Sequence, residues 1–141
     1  MAKITKKELI ALLNKDLGLE YTAMVQYTQH QGTLKGAIYQ SMQKELALHA
    51  QEELQHAIIL AAQIDYLGGV PTVDMPPAKT SKDSVTMLKQ DLDGENDAIA
   101  RYIRRIRQAE DLDLYHLAQQ LRNILAVEQE HAMDLEQALG K

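Results

Sequence analysis

The segment Glu53-Leu54-Gln55-His56 recurs 75 residues later as Glu128-Gln129-Glu130-His131. Residues three positions apart lie on the same face of a helix, so the Glu and the His of each copy can bind one metal ion. One Glu-x-x-His motif is weak evidence for a metal site, because glutamates are common on helices. Two copies in register are much harder to obtain by chance, and they predict a metal centre with two similar halves.

The repeat extends to the segments that precede these motifs. Asp16-Leu17-x-x-Glu20-x-x-Ala23-x-x-x-Tyr27 recurs as Asp91-Leu92-x-x-Glu95-x-x-Ala98-x-x-x-Tyr102, again with an offset of 75 residues. The chain therefore contains two copies of one unit, and each unit supplies a lone Glu and a Glu-x-x-His. We expect the units to pack about a pseudo-two-fold axis, which gives equivalent roles to residues 75 positions apart.

Apolar residues at a spacing of three and four predict two helices in each unit. The capping box Thr5-Lys6-Lys7-Glu8 begins the first helix, which weakens between Gly32 and Gly36. The second helix is expected from about Ala37 to Leu67. Gly68-Gly69 ends it, because glycine readily adopts the left-handed conformation that follows a helix.

A connection rich in Gly and Pro follows, from Gly68 to about Lys79. Ser81 or Asp83 can cap the third helix, which is expected to run to about Ala109. The fourth helix follows the acidic segment Glu110-Asp111-Leu112-Asp113 and is expected to reach Leu139. The predicted fold is an all-α, antiparallel four-helix bundle with a long crossover between helices 2 and 3, formed by residues 1–141 as a single domain.

The composition limits the chemistry that the chain can support. It has no Cys, which excludes disulfides and thiolate metal sites and leaves carboxylates and imidazoles as ligands. A net charge of −5 makes nucleic acid a poor partner. No run approaches the roughly 18 apolar residues needed to span a bilayer, and the N-terminus lacks an apolar signal segment. We therefore expect no membrane partner and a cytoplasmic location.

The repeated residues have the donor chemistry of a two-metal site. Its predicted members are Glu20, Glu53, His56, Glu95, Glu128 and His131. Four carboxylates nearly balance two divalent ions, and imidazoles favour iron or manganese over calcium or magnesium. We expect Glu53 and Glu128 to bridge the two ions. Glu20 and His56 then complete the coordination of one ion, while the equivalent pair in the second unit completes that of the other.

Two tyrosines follow the same repeat. Tyr27 and Tyr102 come seven residues, about two helical turns, after the lone glutamates, so both side chains are expected to point inward. A buried hydroxyl needs a hydrogen-bond partner. The tyrosines are expected either to hold a ligand carboxylate or only to pack in the core.

The other histidines carry weaker signals. Glu52 and His49 lie one turn apart and are expected as ordinary polar residues on the outer face of helix 2, with a weak outer metal site or an access point for iron as the alternative. His30 and His116 have no evident partner, and both are expected at the surface.

At these residues the sequence resembles the bacterioferritin family of ferritin-like di-iron carboxylate proteins, with similarity from about Leu9 to Leu139. The lone glutamates and the two Glu-x-x-His motifs match that family's ferroxidase ligands one for one. Val25-Gln26-Tyr27 resembles its first-helix segment with a Tyr near the di-iron site, and Met87-Leu88-Lys89-Gln90-Asp91-Leu92 resembles the start of its third helix. The resemblance implies a ferroxidase that binds two Fe ions per chain and oxidises Fe(II) with O2 or H2O2, in iron storage, detoxification or oxidative-stress defence.

The sequence departs from related families at three places. The haem-ligating Met of bacterioferritins follows the first bridging Glu, and Leu54 stands there instead, so we expect no haem by this route. The chain stops at Lys141 after the fourth helix, whereas the family has a fifth helix that helps to build its 24-subunit shell. Rubrerythrins carry an additional carboxylate on the third helix, where this chain has Ala98, and usually a Cys-rich domain.

Three classes of function remain open from the sequence. The first is a ferroxidase, and the second is another di-metal protein such as a rubrerythrin-like peroxidase or a manganese catalase. The third is a metal-free helical interaction module. The ligands do not separate the first two classes, because the same side chains bind iron or manganese. The expected partners are Fe(II), O2 or H2O2, and further copies of the chain.

Overall fold

The helices are those of a computed structural model that describes residues 3–141, so Met1 and Ala2, with which the predicted domain begins, lie outside it. They are α1 (Lys6–Thr33), α2 (Gln40–Tyr66), α3 (Ser84–Asp111) and α4 (Tyr115–Ala138). The expected start of α2 at Ala37 is wrong by three residues, because Ala37–Tyr39 form a tighter 3₁₀ turn. No helix within residues 3–141 is both long and apolar enough to cross a membrane.

Side chains cap the first helix of each unit. The Thr5 hydroxyl oxygen accepts a hydrogen bond from the Glu8 amide at 3.1 Å, which satisfies one of the unpaired amides at the start of α1. Asp83, rather than Ser81, caps α3 by accepting from the Thr86 amide at 2.9 Å. The two units therefore begin at positions that the sequence marks with capping residues.

Two glycines end α2 against α1. Gly68 has a φ of +95°, and its amide donates to the Asp65 carbonyl. The amide of Gly69 donates to the Ile64 carbonyl at 2.9 Å, which completes a Schellman motif. A Cβ at Gly69 would lie only 2.5 Å from Cγ2 of Ile10, so the close approach of the two helices requires glycine here.

The helices pack side by side in an antiparallel bundle. α1 lies against α2 and α3, and α4 lies against α2 and α3. Along α1 and α3 the contacting residues run in opposite directions, since Asp16 meets Arg105 and His30 meets Asp91. The predicted antiparallel four-helix bundle is confirmed.

The crossover, residues 67–83, runs along α1 without regular structure of its own. Asn14 donates to the Val70 carbonyl at 3.1 Å and accepts from the Thr72 amide at 2.8 Å. Farther along, the Gln26 side chain accepts from the Lys79 amide at 2.8 Å. Side chains of α1 therefore fix the register of the segment that carries the chain to the other end of the bundle.

The apolar core forms two clusters with a polar layer between them. One cluster includes Leu13, Leu60 and Leu121, and the other includes Leu46 and Leu88. Each of these leucines is fully buried. The predicted metal ligands occupy the layer between the clusters, where burial of leucines on both sides excludes water.

Candidate metal centre

All four helices contribute to the polar layer at the middle of the bundle. α1 and α3 each supply one glutamate, while α2 and α4 each supply a Glu-x-x-His, and no member of the set is more than 4% exposed: Glu20, Glu53, His56, Glu95, Glu128 and His131. The structure therefore brings together every residue that the sequence analysis assigned to metal binding.

These residues form two overlapping groups that share Glu53 and Glu128. Glu20 and His56 complete one group, and Glu95 and His131 complete the other. In each group the ligand atoms lie within 4.8 Å of one another. A carboxylate common to both groups is in the position that a bridge between two ions requires.

Both histidines direct Nδ1 toward the shared carboxylates. His56 Nδ1 lies 3.4 Å from Oε1 of Glu128 and 3.5 Å from Oε1 of Glu53. His131 Nδ1 lies 3.5 Å and 3.3 Å from the same two oxygens. The two halves of the centre therefore have almost the same geometry, as the repeat predicts.

Each of the six residues has one buried polar atom without a hydrogen-bond partner among residues 3–141. These atoms are Glu20 Oε2, Glu53 Oε1, His56 Nδ1, Glu95 Oε2, Glu128 Oε1 and His131 Nδ1. A buried polar atom that makes no bond is costly, and native proteins contain few of them. Six such atoms that face one another fit the donor set of two divalent transition-metal ions.

The crowded carboxylates change their own affinity for protons. Burial raises the pKa of Glu53 and of Glu128 well above the usual range, and the charges of Glu20 and Glu95 raise both further. Burial lowers the pKa of His131, but its hydrogen bonds to Glu128 and Glu95 outweigh this effect and raise the pKa to about 11. The metal-free cluster therefore holds protons that a bound cation would displace.

The two buried tyrosines link the two units reciprocally. Tyr27 on α1 donates to Oε1 of Glu95 on α3 at 2.8 Å, and Tyr102 on α3 donates to Oε1 of Glu20 on α1 at 2.5 Å. Each hydroxyl thus fixes one oxygen of a predicted ligand carboxylate. The other oxygen of each carboxylate is the unpaired atom that faces the centre.

A buried aspartate lies one turn before each lone glutamate, and two arginines bind the first of them. Arg101 donates to Asp16 at 2.6 Å, and Arg105 donates to it at 2.7 Å and 3.1 Å. Asp16 is fully buried, and Arg105 is only 4% exposed. This aspartate joins α1 to α3 through a charged, multiply hydrogen-bonded contact.

The equivalent aspartate of the second unit, Asp91, has different partners at the equivalent positions. Gln26 donates to it at 2.9 Å, and His30 Nδ1 lies 2.9 Å from it. Gln26 and His30 stand 75 residues before Arg101 and Arg105. The geometry of the repeat is preserved while its charges are not.

The chain matches the family model described as a ferritin-like domain over residues 10–141. It belongs to the ferritin-like family. A bacterial ferritin of Paramagnetospirillum magnetotacticum is 34% identical over 138 residues, which cover 96% of this chain and 84% of that protein. A bacterioferritin of Brucella melitensis is 31% identical over 133 residues, which cover 94% and 83% of the two chains.

Solved structures of ferritin-like proteins share the fold. A ferritin-like, diiron-carboxylate protein of Bacillus anthracis superposes with a TM-score of 0.92 at 33% identity and covers 96% of this chain and 97% of its own. A dodecameric thioferritin described as the bacterioferritin-related protein of Bacteroides fragilis gives a TM-score of 0.89 at 34% identity, with 97% and 87% covered.

In this ferritin-like chain the expected surface position of His30 is wrong. The imidazole is fully buried, with Nδ1 bonded to Asp91 and Nε2 lying 2.9 Å from the Lys79 carbonyl of the crossover. Its only clue in the sequence is that it is the repeat counterpart of Arg105. His116, by contrast, is exposed as expected.

The expected outer-face position of His49 is also wrong, and it is 1% exposed. Its ring stacks on that of His131 with 3.8 Å between centroids, and Glu52 bonds Nε2 of His131 at 3.2 Å. The counterpart of Glu52 in the repeat is Val127, which lines a cavity of about 270 Å³ beside His56. The two histidine ligands predicted for this ferritin-like centre therefore have different surroundings.

Proposed function

We propose that this chain is a di-iron ferroxidase, which oxidises Fe(II) to Fe(III) with O2 or H2O2. The observation that carries the proposal is the set of six buried, inward-facing atoms that lack hydrogen-bond partners among the described residues. Membership of the ferritin-like family supports an iron-storage type of function. The proposal goes further, to the reaction and to the residues that support it.

The proposed ligands divide as the two groups do. Glu53 and Glu128 would bridge the ions, with Glu20 and His56 on one side and the equivalent pair of the second unit on the other. Two Fe(II) held together supply two electrons at once, which reduce O2 to H2O2, or H2O2 to two waters, with uptake of two protons.

The chain's own residues prepare the centre for this chemistry. Tyr27 and Tyr102 fix the outer oxygens of the lone glutamates, so the inner oxygens are oriented before substrate arrives. The apolar clusters on both sides keep the carboxylates dry, which strengthens their attraction for a cation. Protons held by the raised pKa values of Glu53 and Glu128 leave these carboxylates when Fe(II) binds.

We also propose that the chain forms a homo-oligomer, as the dodecameric relative from Bacteroides fragilis does. Leu54 and Ile58 lie one turn apart on α2 and are 44% and 52% exposed, which is a large fraction for apolar residues of that size. Native mass spectrometry tests this proposal. A purely monomeric mass at micromolar concentration would contradict it, and Leu54→Lys/Ile58→Lys is expected to weaken the assembly.

Anaerobic titration with Fe(II), followed by addition of O2 or H2O2, tests the proposed reaction. We expect about two Fe(II) at the di-metal centre of each chain and their oxidation on addition of oxidant. Glu53→Gln should abolish rapid oxidation, whereas Glu130→Gln, an exposed α4 residue, should not. Unchanged oxidation in Glu53→Gln would overturn the proposal, and disproportionation of H2O2 by the manganese-loaded protein without Fe(II) would instead favour a catalase.

A further inference from the structure

A second group of potential metal ligands lies beside the proposed di-metal centre. It consists of Glu45 and His49 on α2 and Asp134 on α4, whose ligand atoms lie within 4.8 Å of one another. Glu45 and His49 are four residues apart and share one face of α2. We propose that these three residues bind an additional divalent transition-metal ion, separate from the two at the di-metal centre.

The histidine sets this group apart from an ordinary acidic patch. His49 is 1% exposed, and its Nδ1 has no hydrogen-bond partner among residues 3–141. Its Nε2 lies 3.3 Å from Oδ2 of Asp134, which is long for a strong charge-assisted hydrogen bond. A buried imidazole with so little hydrogen bonding, beside two carboxylates, is suited to coordinate a cation.

The charge around the group also favours a cation. No Lys or Arg within the described part of the chain lies within 4.0 Å of the Glu45 or Asp134 carboxylate. Two carboxylates and one neutral imidazole offer a charge of −2, which matches one divalent ion. The nitrogen ligand selects first-row transition metals over calcium, which prefers oxygen ligands alone.

Solvated ions can reach the group from outside the bundle. Glu45 and Asp134 line a surface cavity of about 490 Å³, together with Met42 and Gln137. On the inner side, His49 stacks on His131 at 3.8 Å between ring centroids. The proposed site therefore lies between solvent and the di-metal centre.

Anaerobic titration with Co(II), whose visible absorption reports imidazole and carboxylate coordination, tests the proposal. We expect about three Co(II) per wild-type chain and about two in Glu45→Gln/Asp134→Asn, which keeps the side-chain shapes. Glu53→Gln/Glu128→Gln, which removes the bridging carboxylates, should retain about one Co(II) that a large excess of Ca²⁺ does not displace. The combined variant should bind none.

A control variant removes the same charge elsewhere. Asp97→Asn/Glu130→Gln changes exposed carboxylates of α3 and α4 and should leave the Co(II) stoichiometry at the wild-type value. The additional site is refuted if Glu45→Gln/Asp134→Asn binds as many Co(II) as wild type, or if the control loses as many. Failure of the di-metal centre gives a different result, in which wild type binds one Co(II) and only Glu45→Gln/Asp134→Asn loses it.

Discussion

The hydroxyl of Tyr102 on α3 donates a 2.5 Å hydrogen bond to Oε1 of Glu20 on α1. Tyr27 does the same for Glu95 in the opposite direction. Each unit of the repeat therefore orients the lone glutamate of the other, and neither unit could prepare its half of the centre alone. The orientation of the proposed ligands depends on the packing of α1 against α3.

Tyr102→Phe is expected to weaken metal binding while leaving the fold intact. The ring stays buried, but Glu20 loses the hydrogen bond that fixes it, so affinity at this half should fall by about tenfold or more. Competitive Co(II) titration measures the change. Tyr21→Phe is the matched control, because its hydroxyl bonds the Thr72 carbonyl of the crossover at 3.0 Å and no predicted ligand. Equal loss of affinity in both variants would contradict the role assigned to Tyr102.

Glu53→Gln is expected to stabilise the metal-free protein while abolishing oxidation. The amide keeps the shape of the side chain and removes one of four buried carboxyls that repel one another, so the free energy of unfolding should rise by about 1 kcal/mol. Urea denaturation in the presence of a chelator measures this. A destabilised Glu53→Gln with full oxidation rates would indicate a structural polar network instead of a metal centre.

The metal-free protein is expected to lose stability as the pH rises from about 7 to about 9. The pKa values of Glu53 and Glu128 are raised by burial and by neighbouring carboxylates, so folding retains protons that the unfolded chain releases above a pKa of about 4.5. His131, whose pKa rises to about 11 from 6.5, acts in the same direction. Burial lowers the pKa of His49 to about 4, and its opposite effect falls below pH 6.5.

Melting temperatures with and without Co(II) across this range check the pH prediction. Bound metal displaces the retained protons, so the loaded protein should show a smaller or opposite slope. Glu53→Gln/Glu128→Gln should flatten the slope of the metal-free protein. A metal-free protein that gains stability over the same range would contradict the prediction.

Asp16→Ala is expected to destabilise the protein more than Asp91→Ala. Removing Asp16 leaves the buried guanidinium of Arg105 without its main partner, and arginine cannot give up its charge, so the cost should be about 3–5 kcal/mol. Removing Asp91 leaves an amide and an imidazole that can be neutral, so about 1–3 kcal/mol is expected. Urea denaturation of the metal-free variants ranks the two costs, and the reverse order would contradict this account.

The helices and the proposed ligands could be predicted from sequence because both depend on local spacing. Glu53 and His56 share a helix face whatever that face contacts, and the repeat at Glu128 and His131 shows that the spacing is not accidental. The start of α2 was misplaced because the apolar pattern does not distinguish a 3₁₀ turn at Ala37–Tyr39 from the first turn of an α-helix.

The burial of His30 and His49 could not be predicted in the same way. Each is a single polar residue whose partners lie far along the chain, 61 residues away for Asp91 and 85 for Asp134. Which face of a helix turns inward at such a position depends on the rotation of four packed helices. The repeat gave one unused clue, since it places His30 at the counterpart of Arg105, in the same turn relation to a buried aspartate.

The covalent link between the two units has a consequence for how they can evolve. In a symmetric pair of separate half-length chains, one gene position would have to serve both as Arg105 and as His30, and both as Glu52 and as Val127. Joined in one polypeptide, each half can mutate independently of its copy. A duplicated ancestor of this kind could begin with two interchangeable metal positions and end with two that differ in affinity and order of filling, because His131 acquired a carboxylate neighbour and His56 did not.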